Sequence, residues 1–240
     1  MNRPMTPVIY TQVPRIEPAL IERARALSVA DLHEGLGAVL GRQCLLRPAM
    51  RPLFKGARLC GQAITCFNYP GDNLLLHAAI RVARAGDVIV ATNGGDAQGA
   101  LWGEMVTHYA QLRGLGGAVI DGAARDVDSV REMRFPVFST VISASHPEKR
   151  GPGSANVPVS VAGVRVEPGD LIVGDGDGVL AIPPEHLAAA IESAETRMAK
   201  ETALRERLAS GATMYDLLGL DAQVKAAGID EIEGTWRDAE

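Results

Sequence analysis

From Arg58 to Asp121 the chain alternates strand-like apolar runs with helix-length stretches, and from Pro136 it switches to short β runs broken by Gly and Pro. Alternating β and α segments ask for parallel strands with helices packed on them. Closely spaced runs joined by turns such as Glu167-Pro168-Gly169-Asp170 ask for antiparallel pairing. The sequence therefore predicts an α/β fold with a mixed sheet. Strands are expected over Arg58 to Phe67, Asp87 to Thr92 and Gly117 to Asp121, with a helix over Asn73 to Ala85 and another ending near Arg113-Gly114. The later β runs are Pro136 to Ile142, Val157 to Val166, Asp170 to Val173 and Gly178 to Ile182. Upstream, Glu17 to Leu27 reads as a helix, Ser28 to Gly35 as a shorter one capped by Ser28, and Gly41 to Gly56 as an ordered loop. A long helix runs from Pro184 to Ala209 and is stopped by Gly211. The strands are too few for an eight-fold barrel, and no repeat or linker divides residues 1–240, which read as a single domain.

A net charge of −5 argues against a nucleic-acid partner, which needs a basic face. The N-terminal stretch lacks the apolar core of a signal peptide, and no run approaches a membrane span, so a cytoplasmic protein with no membrane partner is expected. Only four of the 24 basic residues are lysines (Lys55, Lys149, Lys200, Lys225). The remaining arginines suit bidentate recognition of carboxylates. Cys44, Cys60 and Cys66 form no C-x-x-C pair, and the last two sit in a strand-like run as small hydrophobes.

Several segments carry candidate chemistry. Asn93 to Glu104 follows a buried strand and opens a helix, where backbone N–H groups can face an anion; it is equally readable as a flexible strand-to-helix turn. Its glycines lack the G-x-G-x-x-G spacing of a dinucleotide site. Arg125-Asp126 follows the strand Gly117 to Asp121, at the sheet end where ligands usually sit. The Asp can bind a hard cation and the Arg can neutralise an oxyanion, against the plainer reading of a salt bridge to Asp121 or Asp128. Gly174-Asp175-Gly176-Asp177-Gly178 imitates a calcium loop, but His186 stands where that loop needs Glu, and a Gly-rich hairpin is the better reading. Leu187, Ile191, Ala194, Met198, Glu201, Arg205 and Leu208 share one helix face. Glu201 and Arg205 either pair at i,i+4 or carry a carboxylate to a site. His33 lies near Asp31 and Glu34 in a short helix and reads as structural rather than as a ligand.

In order along the chain stand Asp31-Leu32-His33-Glu34-Gly35, Tyr69-Pro70-Gly71-Asp72-Asn73, Gly103-Glu104, Gly122-Ala123-Ala124-Arg125-Asp126, Pro136-Val137-Phe138, Pro168-Gly169-Asp170, Gly174 to Val179 and Leu208-Ala209-Ser210-Gly211. Together they resemble the RraA-like family, and within it the 4-hydroxy-4-methyl-2-oxoglutarate / 4-carboxy-4-hydroxy-2-oxoadipate aldolases. The resemblance covers all but about the first dozen and last twenty residues. It implies a swivelling β/β/α-type sandwich and a homo-oligomer, trimeric or hexameric, with active sites between subunits. It also implies that Asp126 ligates Mg²⁺ or Mn²⁺ and that Arg125 contacts the keto oxygen. Gly103, Glu104, Met105 and Val106 would form the pyruvate-binding turn, with Glu34 and a neighbouring subunit's Glu201 as supporting carboxylates. One departure stands out: the aldolase pattern has Asp after this glycine, whereas here Glu104 adds a methylene.

The implied reaction is retro-aldol cleavage of a 4-hydroxy-2-oxo diacid to pyruvate and a second oxo acid, in the breakdown of aromatic compounds. Such cleavage needs an electron sink at the pyruvoyl carbonyl. The four lysines sit in polar or loop-like contexts that do not suit a Schiff base, which leaves a divalent cation as Lewis acid. A held water would then take the C4 hydroxyl proton. Oxaloacetate decarboxylation, which leaves the same enolate, is the expected side activity. The competing reading is the family's regulatory branch, which binds a ribonuclease; Asp126 favours the enzyme.

Overall fold

The computed structural model describes residues 6–239. The chain falls into two compact units, one ending at Glu195 and one starting at Thr196.

The first unit contains α1 (Pro18–Arg25), α2 (Val29–Gly35), α3 (Ala38–Cys44), β1 (Arg51–Pro52), β2 (Leu59–Asn68), α4 (Leu74–Val82), β3 (Val88–Thr92), α5 (Glu104–Leu112), β4 (Gly117–Ala124), α6 (Val127–Glu132) and β5 (Val137–Ile142). Next come β6 (Gly153–Ala155), β7 (Val159–Val161), β8 (Val164–Val166), β9 (Leu171–Gly174), β10 (Val179–Ile182) and the start of α7 (Pro184–Ala209). The main sheet has the order β1-β5-β4-β3-β2-β9-β10 with β6 also on β2, and β7 pairs with β8 separately. Strands β2 to β5 run parallel, and β1, β6, β9 and β10 join antiparallel. The mixed α/β architecture with a long C-terminal helix is thus as the sequence predicts.

Period-two alternation in strands buried on both faces divides the interior into three cores. Ile64, Ile89, Ile120 and Val137 face a core shared with Leu76 and Ile80 of α4 and Ala110 of α5. Their neighbours Ala63, Val90, Val119 and Phe138 face a second core with Val159, Val166, Ile172 and Val179. On the far side of β9 and β10, Leu171, Val173, Leu180 and Ile182 meet Leu32, Leu187 and Ile191. The layers run helices, sheet, sheet, helices.

Several boundaries differ from the sequence expectation. The segment Gly41 to Gly56 is not all loop, because α3 runs through Cys44 and β1 follows. Gly41 is there for packing: a Cβ would lie 2.6 Å from the carbonyl oxygen of His33, which presses α2 onto α3 and gives His33 a structural role. The run Val157 to Val166 is two strands, because Ala162 (φ 44°) and Gly163 (φ 83°) turn it into a hairpin. Strand β6 and helix α6 are too short to show a period, and neither is legible in the sequence. Asp175 accepts the Val29 N–H at 2.9 Å, so the Gly-rich segment is a hairpin tip that caps α2. All three cysteines are buried and free, and burial pushes the Cys66 thiol up to about 12.

The second unit holds the rest of α7 with α8 (Met214–Leu217) and α9 (Leu220–Ala226). No residue from Thr196 to Arg237 is buried. Here Glu201 bridges Arg205 at 3.0 Å and Arg197 at 3.5 Å, the i,i+4 pairing that the sequence allowed. Among the described residues no helix is long and apolar enough to cross a membrane.

Candidate functional site

At the carboxyl ends of β3 and β4, where parallel strands usually present ligands, the chain builds one compact constellation. After β4 the backbone does not enter α6 directly: Asp126 adopts left-handed φ 52°, ψ 38°, a conformation costing about 1–2 kcal/mol for a residue with a Cβ. Opposite it runs Leu101-Trp102-Gly103. Leu101 N–H donates to Ala123 O at 2.9 Å, and Arg125 N–H donates to Trp102 O at 2.9 Å. Buried Trp102 locks this strip by donating its indole N–H to Thr107 Oγ1 at 2.7 Å, and Thr107 donates in turn to Gly103 O at 3.0 Å. Phe135 stacks on the indole with ring centres 5.9 Å apart.

Helix α5 begins here, and its N-terminus does face an anion, but that anion is Asp126. Glu104 N–H donates to Asp126 Oδ2 at 3.2 Å, and Arg125 Nε lies 3.5 Å from the same oxygen. The alternative salt bridges do not form: Asp128 pairs with Arg131 at 2.9 Å, and Asp121 accepts from Thr92 Oγ1 and the Ala162 N–H. Gly103 is extended (φ −168°), so its lack of a side chain serves proximity and not conformation. A Cβ there would stand 2.7 Å from Asp126 Oδ2.

These residues open onto a cavity of about 250 Å³. Five of the sequence-predicted site residues line it: Gly103, Met105, Val106, Arg125 and Asp126. Glu104 touches the group through its backbone while its side chain is exposed. Glu34, exposed on α2, is not among the lining residues, and Glu201 belongs to the second unit.

The cavity is also lined by Asn73, His77 and Lys149, which sequence reasoning does not assign to the site. Asn73 precedes α4 and His77 follows one turn later, an i,i+4 pair of polar residues at the start of a helix whose one other polar residue is Arg81. That spacing is the one signal in the sequence that could have found them. Lys149 arrives on a loop tied to the same helix start. Asp72 accepts backbone N–H groups from Leu74 (2.8 Å), Gly151 (3.0 Å) and Arg150, and Asn73 N–H donates to Glu148 O at 3.0 Å. Burial pushes the Asp72 carboxyl up, but these donors and the Lys149 charge together hold it below the ordinary carboxylate range. Burial, reinforced by the Lys149 charge, holds the His77 imidazole below its ordinary value.

No group of three or more His, Cys, Asp or Glu side chains able to hold a metal exists among the described residues. The donor set within one chain is a single half-exposed carboxylate. That set fits a hard divalent cation such as Mg²⁺, which keeps most of its water and takes one or two carboxylates, and does not fit zinc in a cage of side chains.

Comparison with known proteins places these residues in context. The RraA-like family, described as Aldolase/RraA, matches residues 29–181. A protein of Halalkalibacterium halodurans named "Putative 4-hydroxy-4-methyl-2-oxoglutarate aldolase" is 40% identical over 171 residues, covering 70% of this chain and 80% of its own. Among solved structures, Streptomyces coelicolor RraAS2, described as an unusual member of the RNase ES inhibitor RraA family, superposes with a TM-score of 0.74 at 28% identity, over 81% of this chain and 99% of its own. The RNA-processing inhibitor RraA from Thermus thermophilis gives a TM-score of 0.54 at 30% identity, over 58% of this chain and 84% of its own.

Proposed function

The chain belongs to the RraA-like family, and we propose that within it the protein is a divalent-metal-dependent lyase. Its substrate is a 4-hydroxy-2-oxo acid with two or three carboxylates, 4-hydroxy-4-methyl-2-oxoglutarate or 4-carboxy-4-hydroxy-2-oxoadipate, cleaved to pyruvate and a second oxo acid. The observation that carries this reading is the strained Asp126 beside Arg125 on the wall of a cavity. Backbone strain retained in a ligand pocket is a mark of function.

Asp126 would hold Mg²⁺ or Mn²⁺. When bound, the cation supplies the Lewis acidity that stabilises the enolate as the C3–C4 bond breaks. Arg125 presents its guanidinium to the keto oxygen, where negative charge develops. Gly103 admits the pyruvoyl end of the substrate against backbone, and Met105 and Val106 exclude water from its methyl side. The Glu104 carboxylate, exposed at the first turn of α5, holds the water that takes the hydroxyl proton. Lys149 adds a second cation to the cavity lining, suited to a further carboxylate of the substrate. Oxaloacetate fits the same arrangement and would lose CO₂.

A homo-oligomeric site is part of the proposal. Met105 lines the cavity yet is 75% exposed, and Tyr109 (41%) and Leu112 (73%) continue an apolar stripe along α5. Such a stripe beside a pocket mouth suits burial by a second copy.

The names of the solved neighbours favour a second reading, a ribonuclease-binding regulator. Pyruvate release from 4-hydroxy-4-methyl-2-oxoglutarate, assayed with Mg²⁺ and after EDTA, separates the two. Metal-dependent release that Asp126→Ala abolishes supports the lyase. A protein inert toward the diacid but inhibitory to a ribonuclease supports the regulator.

A further inference from the structure

The loop after β5 brings Lys149 into the cavity lining on a backbone that is fastened on both sides. Before Lys149, Gly99 N–H donates to Ser145 Oγ and Ala100 N–H donates to Ser145 O, each at 2.9 Å. Glu148 N–H then donates to Gly71 O at 2.8 Å, and the Glu148 carbonyl accepts the Asn73 N–H at 3.0 Å. After Lys149, the Arg150 and Gly151 N–H groups both donate to Asp72 Oδ2, while Asp72 Oδ1 accepts the Leu74 N–H at 2.8 Å. The Asp72 carboxylate, only 3% exposed, thus clasps the start of α4 to the loop around Lys149.

Lys149 itself is exposed, and among the described residues its ammonium has no salt-bridge partner; Glu148 pairs with Arg150 instead, at 3.4 Å. Its charge lies on the cavity side of the loop, because it adds to burial in depressing the imidazole of His77, another lining residue. Two cations, Arg125 and Lys149, therefore line the cavity against one carboxylate, and Asp126 is already within 3.5 Å of Arg125. The negative charge that would match Lys149 is left for the ligand to bring. Under the lyase reading Arg125 and Gly103 take the pyruvoyl end of the substrate, which leaves the carboxylate on C4. We infer that Lys149 pairs with that carboxylate, that Asp72 positions Lys149 to do so, and that the two make the protein select 2-oxo acids carrying this second carboxylate over those without it. A cation on a fixed backbone loses less freedom when it pairs. As the C3–C4 bond breaks, the carboxylate keeps its charge and leaves with the second oxo acid. Lys149 therefore binds ground state and transition state alike, and its contribution falls on KM and not on kcat.

The inference rests on the lyase reading, and the test separates the failure of each. Lys149→Met removes the charge, Lys149→Arg keeps it, and Asp72→Asn weakens the clasp; the double variant Asp72→Asn/Lys149→Met closes the cycle. Each protein with Mg²⁺ is assayed for pyruvate release from 4-hydroxy-4-methyl-2-oxoglutarate and for exchange of the methyl hydrogens of pyruvate with deuterated water. Pyruvate has no second carboxylate, and its exchange, the reverse of enolate protonation, uses the pyruvoyl end of the site alone. The expected result is that Lys149→Met raises KM for the diacid, and lowers kcat/KM for cleavage relative to exchange, by about tenfold or more, with part recovered in Lys149→Arg. Asp72→Asn should move the ratio the same way yet add little to Lys149→Met, because it acts through Lys149. The ratio does not depend on how much of a variant is folded. Cleavage and exchange that fall together, a ratio that does not move, or a loss confined to kcat overturn the inference and leave the lyase reading standing. An additive effect of Asp72→Asn in the double variant overturns its positioning role. A wild-type protein that releases no pyruvate from the diacid overturns the lyase reading itself and takes the inference with it.

Discussion

Gly103→Ala tests whether the position of the Asp126 carboxylate matters, because the substitution changes little else. Gly103 has φ −168° and ψ −171°, which alanine adopts freely, so no backbone strain is added. The new Cβ would sit 2.7 Å from Asp126 Oδ2 and 3.1 Å from Arg125 Cγ. Carbon and oxygen atoms need more than about 3 Å, so the carboxylate must retreat by about half an ångström. The hydrogen bond from Glu104 N–H, already 3.2 Å long, is lost or stretched. Both partners are exposed to solvent, and the stability cost is at most about 1 kcal/mol. The chemical cost is larger, since a misplacement approaching about 1 Å in a catalytic constellation costs about 10²-fold. The assay is kcat/KM for pyruvate release, with a thermal melt on the same protein. The expected outcome is a fall of about ten- to a hundredfold with a Tm within a few degrees of wild type. Wild-type kcat/KM in a variant that melts normally would show that the chemistry does not depend on where Asp126 is held.

Arg125→Ala should lower kcat by about 10²–10³, and Arg125→Lys should recover only part because the planar fork is lost; an effect on KM alone would reduce Arg125 to a binding residue. Burial pushes the Asp170 carboxyl up from 3.8 to about 6, despite the Glu167 N–H that it accepts at 2.8 Å. The folded state therefore binds the proton more tightly, and stability rises as pH falls from about 6 toward 4. Asp170→Asn keeps the acceptor, removes that slope and stabilises the protein at pH 7 by up to about 3 kcal/mol; denaturant melts at pH 5 and pH 7 check both. If Glu201 of one subunit completes a neighbour's site, Asp126→Ala and Glu201→Ala should each be inactive, and co-refolded mixtures should regain activity at roughly a quarter of interfaces. Confirmed mixed assemblies without activity would leave Glu201 as the partner of Arg197 and Arg205 alone.

The sheet was legible because its strands are buried on both faces. Val88 to Thr92 and Gly117 to Ile120 read as unbroken apolar runs, and only strand length and spacing were needed to place them. The α3 segment was not legible, since Gly37 and Gly41 look like loop residues. The first restarts the chain after α2 and the second admits His33, both tertiary reasons that no local pattern records. The hairpin at Ala162-Gly163 was hidden for a similar reason, because a positive φ at alanine has no sequence signature.

The candidate site divides along the same line. Arg125 and Asp126 were visible because they end a buried strand, and that rule needs no knowledge of what lies opposite. Asn73 and Lys149 obey no such rule: Lys149 comes from a loop 76 residues beyond Asn73 in the sequence, and what joins them is the Asp72 carboxylate collecting N–H groups from Leu74, Arg150 and Gly151. Asp72 therefore has a positional role that its place in a Pro-Gly-Asp turn does not reveal. The substitution of Glu for Asp at position 104 can be weighed in the same way. What binds Asp126 at that position is the backbone N–H, which any residue but proline supplies. The side chain is exposed and its carboxylate reaches one methylene further. The change therefore leaves the Asp126 contact intact, and under the proposed lyase reading its effect would fall on proton transfer and not on metal binding.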